Sequence, residues 1–233
     1  MTAVGLRVVS LVPSSTETLL ALGADVVACT RFCEQPQLCH VGGTKNPDID
    51  AIGELRPDLV VMDREENRLE DHDELLARGL RVYVSCVRSV DDAVVVVGDL
   101  AALLDVDPPP VVPPPRVDGT VRVAFVPIWR RPWMSINEHT YGASVLERIG
   151  VVLVTAGSAD PYPTVVLSDV AAREPELILV PSEPYEFRDP HVDELRAAMP
   201  TATVVRVDGR DLFWWGVRTP AAIRRLISAT QGV

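Results

Sequence analysis

Short apolar runs alternate with amphipathic stretches along nearly the whole chain. Arg7–Val12 reads as a strand ended by Pro13. Ser14 stands three residues before Glu17, the spacing of a capping box, so a helix is expected through Thr18–Leu22. Gly23 stops it in the usual C-terminal way, and Val26–Thr30 forms the next strand. The phrase repeats as a short helix over Ile49–Leu55, an apolar strand over Leu59–Met62, a helix over Leu69–Arg78 closed by Gly79, and a strand over Arg81–Ser85. Wholly apolar strands separated by helices predict a parallel sheet covered on both faces.

A longer helix is expected over Val90–Leu104, with Asp91 and Asp92 in its first turn. The proline-rich run from Asp107 to Pro115 follows; it suits neither a helix interior nor a central strand and reads as a stiff connector. Then the alternation starts over. Strands are expected at Val121–Val126, Leu177–Val180 and Thr203–Val207, and helices at Tyr141–Ile149, Leu167–Ala172, His191–Ala198 and Pro220–Thr230. Arg56-Pro57-Asp58-Leu59-Val60-Val61 is echoed by Glu174-Pro175-Glu176-Leu177-Ile178-Leu179. The expected plan is therefore an α/β protein of two Rossmann-like lobes with parallel sheets. It comprises an N-terminal lobe over 1–88, a bridging helix and connector over 89–118, and a C-terminal lobe over 119–233. Clefts between lobes are favoured ligand sites, and one is expected here.

Composition narrows the partners. With 47% hydrophobic and 24% charged residues the chain is an ordinary globular one, but its formal net charge is −11. That balance argues against nucleic acid and against an anionic membrane surface. No apolar run is long enough to span a bilayer. Met1–Leu6 lacks the features of a signal peptide, so a cytoplasmic location is the expectation. Cys29, Cys33, Cys39 and His40 lie close together, but their spacing is not that of a structural zinc site, and no metal is assigned. Cys29 and Cys86 read as small buried hydrophobes.

In open α/β sheets the loops beyond the carboxyl ends of strands carry the ligand contacts. Here they hold the chemistry-bearing residues. Ser14 and Ser15 open a helix, where free N–H groups favour an anion; capping is the plainer role for Ser14. Glu65, Glu66 and Asn67 follow the strand Leu59–Met62. Trp129, Arg130 and Trp133 offer aromatic faces for stacking and a guanidinium fork for a carboxylate or phosphate, or else pack the lobe interface. Ser182, Glu183 and Tyr185 follow Leu177–Val180, and Asp211 and Trp215 follow the last strand. Cys33 and His139 are weaker candidates for a nucleophile and its base, with Glu66 beside them.

These segments together resemble the solute-binding proteins that feed metal-chelate ABC transporters. The resemblance is carried by Arg7 to Glu17, Arg56 to Val61 and the helix near Val90–Leu104. More specific are Val41 to Asp48, Glu65 to Arg68, Ile128 to Met134 and Pro181 to Tyr185, which look like a leaderless branch of that family. The resemblance implies two α/β lobes joined by one long helix. It also implies cobalamin, haem or a ferric chelate as ligand, and a transporter permease as partner. Asp63 stands where cobalamin binders carry a stacking Trp, Tyr162 stands at the aromatic position of the second half, and Leu69 or Glu70 at the acidic docking position. The reading is a protein that closes on an anionic or metal-chelate small molecule. The alternative is an enzyme of cofactor or secondary metabolism that uses the cleft carboxylates, Cys33 or His139.

Overall fold

The computed structural model describes residues 5–110 and 121–232. The chain packs as two compact units. One takes the chain up to Val87, then Asp91 onward, then Trp215–Val217; the other takes Arg88–Val90, the chain up to Trp214, and the chain from Arg218.

In the first unit β1 (Arg7–Ser10), α1 (Pro13–Ala21) and β2 (Asp25–Cys29) follow in turn. Then come the two-residue strands β3 (Cys39–His40), β4 (Gly42–Gly43) and β5 (Asn46–Pro47). The unit continues with α2 (Ile49–Leu55), β6 (Leu59–Asp63), α3 (Leu69–Ala77), β7 (Val82–Ser85) and α4 (Val90–Leu103). Five parallel strands pair in the order β3-β2-β1-β6-β7. All five residues of β6 are buried, as expected for a central strand covered on both faces. Val9, Leu11, Val60 and Met62 meet Ile52 and Leu75 in one core.

The second unit contains β8 (Arg122–Phe125), β9 (Trp133–Met134), α5 (Tyr141–Arg148), β10 (Val151–Leu153) and β11 (Thr164–Val165). It continues with α6 (Leu167–Ala171), β12 (Leu177–Pro181), α7 (Asp189–Ala198), β13 (Thr203–Val207), α8 (Gly209–Phe213) and α9 (Thr219–Gln231). Its parallel sheet has the order β10-β8-β12-β13, with β12 again wholly buried. Phe125, Ile178 and Val180 pack against Val192 and Leu195 of α7. Among the described residues no strand pairing joins the two sheets.

The differences from the sequence reading have physical causes. Val12, with extended backbone, is the N-cap of α1 and makes no side-chain cap; Pro13 opens the helix, and Ser14 and Ser15 lie in its first turn. Proline suits that position because the first N–H needs no partner, so the capping box around Ser14 does not form. The strand β10 was not expected, because its three residues follow the helix stop at Gly150 without a break. The short helix α8 was read as loop; Asp208 caps it by accepting from the Arg210 N–H. Cys86 is exposed, and Cys33 is the buried thiol beside Cys29. The connector from residue 111 lies outside the described residues.

Candidate functional site

Strand order locates the crevices. In the first unit the chain runs outward from β1 to β2 and β3, then crosses back to β6 and β7. In the second it goes from β8 to β10, then crosses to β12 and β13. Each sheet therefore reverses direction once, between β1 and β6 and between β8 and β12. A reversal splays the loops at the carboxyl ends of the two neighbouring strands, and open α/β sheets bind ligands there.

At the first reversal the two loops are tied by polar bonds. Asn67 is buried. Its Nδ2 donates to the Thr44 carbonyl at 2.8 Å and the Leu11 carbonyl at 3.4 Å, and its Oδ1 accepts from the Asp63 N–H at 2.8 Å. The amide is thus spent on the backbone. Asp63 is buried too, accepting from Ser85 Oγ at 2.7 Å and from the Glu65 N–H at 2.9 Å. Burial raises its pKa against those bonds, and the Glu65 charge adds to the rise. Glu65 and Glu66 are at the surface, with Lys45 Nζ donating to the Glu65 carbonyl. Protein packed around the Glu66 carboxyl pushes its pKa up, Lys45 opposes this, and Asp63 and Glu65 reinforce it. Ser14 and Ser15 are buried in the first turn of α1, and the Ser15 hydroxyl finds no hydrogen-bond partner.

Cys33 lies behind this loop, 1% exposed. Its sulfur is 3.2 Å from both the Thr16 and the Thr30 hydroxyl. The Cys29 thiol, then these hydroxyls, lower its pKa to about 6 against the opposing effect of burial, while the Cys29 thiol is pushed far upward. A sulfur sealed from solvent in this way cannot reach a substrate in this conformation.

The second reversal is built from rings. Trp129, just beyond β8, is 45% exposed. It meets Tyr185, from the loop after β12, edge-on with ring centroids 5.1 Å apart. Tyr185 contacts Phe187 at 4.9 Å, and Phe187 stacks on Trp133 at 5.9 Å with the planes 2° apart. His191 closes the cluster, 5.7 Å from Tyr185; its Nδ1 accepts from the Arg188 N–H. Arg130 does not stand free. Its Nη2 and Nε both bond Glu194 Oε2, at 2.6 and 3.0 Å, while Trp133 Nε1 donates to Oε1 at 3.2 Å. Partial burial pushes the Glu194 pKa up, but the bonds from Arg130 and Trp133 hold it below the usual carboxylate range. An open pocket of about 360 Å³ lies against Tyr185, Glu186, Arg188 and His191.

The sequence did not point to Glu194, Phe187 or His191. Phe187 lies in the irregular segment between β12 and α7, so it carried no periodic signal. Glu194 had none, because it meets Arg130 and Trp133 only through the tertiary fold, 64 and 61 residues away.

The other candidates are more structural. Ser182 Oγ accepts from the Gly209 N–H at 2.9 Å, and a Cβ at position 209 would lie 2.6 Å from the backbone N and O of Glu183, so only glycine fits there. Asp211 is buried and held by Arg225, at 2.7 and 2.5 Å, with Arg218 at 3.7 Å. Trp215 is buried. Tyr162 is exposed, with its N–H on Asp160. His139 is exposed beside Glu138. Among the described residues no group of three or more His, Cys, Asp or Glu side chains is arranged to hold a metal ion. No helix among them is long and apolar enough to cross a membrane.

The chain is a two-unit α/β protein with parallel sheets and ring-bearing strand-end loops. Residues 8–104 match the family model described as periplasmic binding protein. The vitamin B12-binding protein of Yersinia pestis (strain Pestoides F) is 26% identical, the alignment covering 97% of this chain and 84% of that protein. The solved structure of the periplasmic vitamin B12 binding protein BtuF of Vibrio cholerae superposes with a TM-score of 0.79 at 18% identity, covering 97% of both chains. A periplasmic heme binding protein from Pseudomonas aeruginosa gives 0.78 at 17% identity, covering 97% of this chain and 92% of the other. The fold is thus that of periplasmic binding proteins, and the sequence similarity runs to the vitamin B12-binding proteins, in line with the resemblance to metal-chelate solute-binding proteins.

Proposed function

We propose that this protein binds a flat metal-chelate small molecule of the cobalamin, haem or ferric-chelate type, and that the aromatic reversal of its second unit supplies the stacking surface. The observation that carries the reading is Trp129. A large ring left 45% exposed beside Tyr185, at the point where the sheet opens, is surface suited to cover by a planar partner. The fold and the named relatives support the same ligand class. Handing the ligand to a transporter permease is the role that this reading implies. The enzyme alternative has less support, because Cys33 is sealed and His139 stands in solvent beside Glu138.

The test is a titration of tryptophan emission with cyanocobalamin, haemin and a ferric siderophore. A saturable change with at least one of them, and co-elution of that coloured ligand with the protein on gel filtration, is the expected outcome. No emission change and no co-elution with any of the three would overturn the proposal.

A further inference from the structure

Arg130 stands in the loop that carries Trp129, where a cation would be expected to grip an anionic ligand. Glu194, on α7, already occupies it. Both guanidinium bonds converge on Oε2, and Oε1 is taken by the Trp133 N–H. The guanidinium carbon also sits 5.7 Å from the Trp133 ring centroid. One carboxylate therefore does two things: it cancels the positive charge of Arg130, and it fixes the indole that Phe187 stacks upon. The side chains of Arg130 and Glu194 are 19% and 39% exposed, so the pair is partly withdrawn from solvent screening.

The other charges near these rings lie at the surface. Glu186 and Arg188, beside the pocket at Tyr185, pair with each other at 3.4 Å. Arg131 is exposed, with the left-handed φ of 72° that turns the chain between the two tryptophans.

We infer that Glu194 is a positioning residue that withholds Arg130 from the aromatic surface: with Arg130 engaged, planar chelates carrying carboxylates bind more weakly than an unengaged Arg130 would allow, while uncharged ones are unaffected. This rests on the ligand-binding reading above and deepens it to the charge of the ligand. An anionic ligand approaching the rings must compete with Glu194 to reach Arg130, which costs affinity. An uncharged ligand meets only the stacking surface.

The test compares cyanocobalamin, which is uncharged overall, with haemin, which carries two propionates, by equilibrium titration. Glu194→Gln keeps the shape and the acceptor oxygen but removes the charge, so Arg130 becomes available and haemin binding should tighten by about tenfold. Cyanocobalamin binding should change by less than about threefold, because stacking does not depend on that charge. Adding Arg130→Met to Glu194→Gln should return the haemin affinity to the parent level. Glu194→Met serves as a second single variant should the glutamine protein fold poorly. A role confined to packing would weaken both ligands together. A common loss of that kind, or an unchanged ratio between the two ligands, would overturn the inference while leaving the ligand-binding reading intact. A parent that binds neither of these two overturns the inference, and one that fails with the ferric siderophore as well overturns both.

Discussion

The two sheet reversals use the same topology for opposite ends. Between β1 and β6 the splayed loops are stitched shut by one buried amide, Asn67, which reaches the carbonyls of Leu11 and Thr44 and the N–H of Asp63. Between β8 and β12 the loops meet ring against ring, Trp129 on Tyr185, and leave aromatic surface in solvent. Directional bonds that are all satisfied make a rigid, finished structure, whereas a ring 45% exposed keeps part of its contact area uncovered. One sheet edge is thus tied by polar bonds, the other is the one proposed for recognition, and each can be broken separately.

The largest effect should come from breaking the stitched side. Asn67→Ala leaves one buried carbonyl, one half-buried carbonyl and one N–H without their partner, and each unmade buried bond costs roughly 1–3 kcal/mol. Partial access of water should limit the total to about 3 kcal/mol. Urea unfolding read by circular dichroism should show that loss. Asn67→Asp should recover little of it, because the carboxylate cannot donate to Thr44 and Leu11. A variant within about 0.5 kcal/mol of the parent would mean that the loops do not depend on this amide.

The aromatic side should respond in the opposite sense. Trp129→Ala removes a ring that is nearly half in solvent, so stability should fall by about 1–2 kcal/mol, less than at Asn67. Binding of whichever chelate the parent accepts should weaken about tenfold, the value of a lost aromatic contact. Trp129→Phe should recover part of it. Isothermal titration beside a thermal melt separates the two readouts, and a variant that loses stability but not affinity would reverse the assignment of the two edges.

This contrast was only half legible in the sequence. Element order could be read because parallel strands buried on both faces show as unbroken apolar runs. Leu59–Met62 and Leu177–Val180 were placed within one residue, and both strands lengthen by one at the carboxyl end. The helix stops at Gly23, Gly79 and Gly150 were readable for a local reason, the left-handed backbone that follows each helix. Site residues could be placed on strand-end loops, since that depends on order alone. What each does there could not be read. Asn67 sits in a charged run with Glu65, Glu66 and Arg68 and looks like its solvated neighbours, yet its burial is decided by Leu11 and Thr44. Arg130 looks like a free anion grip until α7 brings Glu194 to it. Polar roles are set by partners distant in sequence, whereas apolar periodicity is set by neighbours.

The smallest expected effect concerns Asp63, the buried carboxylate beside Asn67. Burial is the main cause raising its pKa above the ordinary 3.8, with the Ser85 hydroxyl and the Glu65 N–H acting against it. The sign follows from proton binding. Between the ordinary value and the raised one the folded protein holds a proton that the unfolded chain has released, so stability falls as pH rises through that window and is flat above it. Asp63→Asn cannot ionise; its Oδ1 can still accept from the Glu65 N–H and its Nδ2 can donate to Ser85 Oγ. The variant should therefore match the parent at acid pH and become the more stable of the two at pH 7, by under about 1 kcal/mol. Urea midpoints at pH 4 and pH 7 measure this, and the parent, not the variant, should carry the pH slope. A variant less stable than the parent at pH 7 would show that the bonds from Ser85 and Glu65 outweigh the cost of burying the charge, and the Asp63 anion would then stabilise the stitched edge.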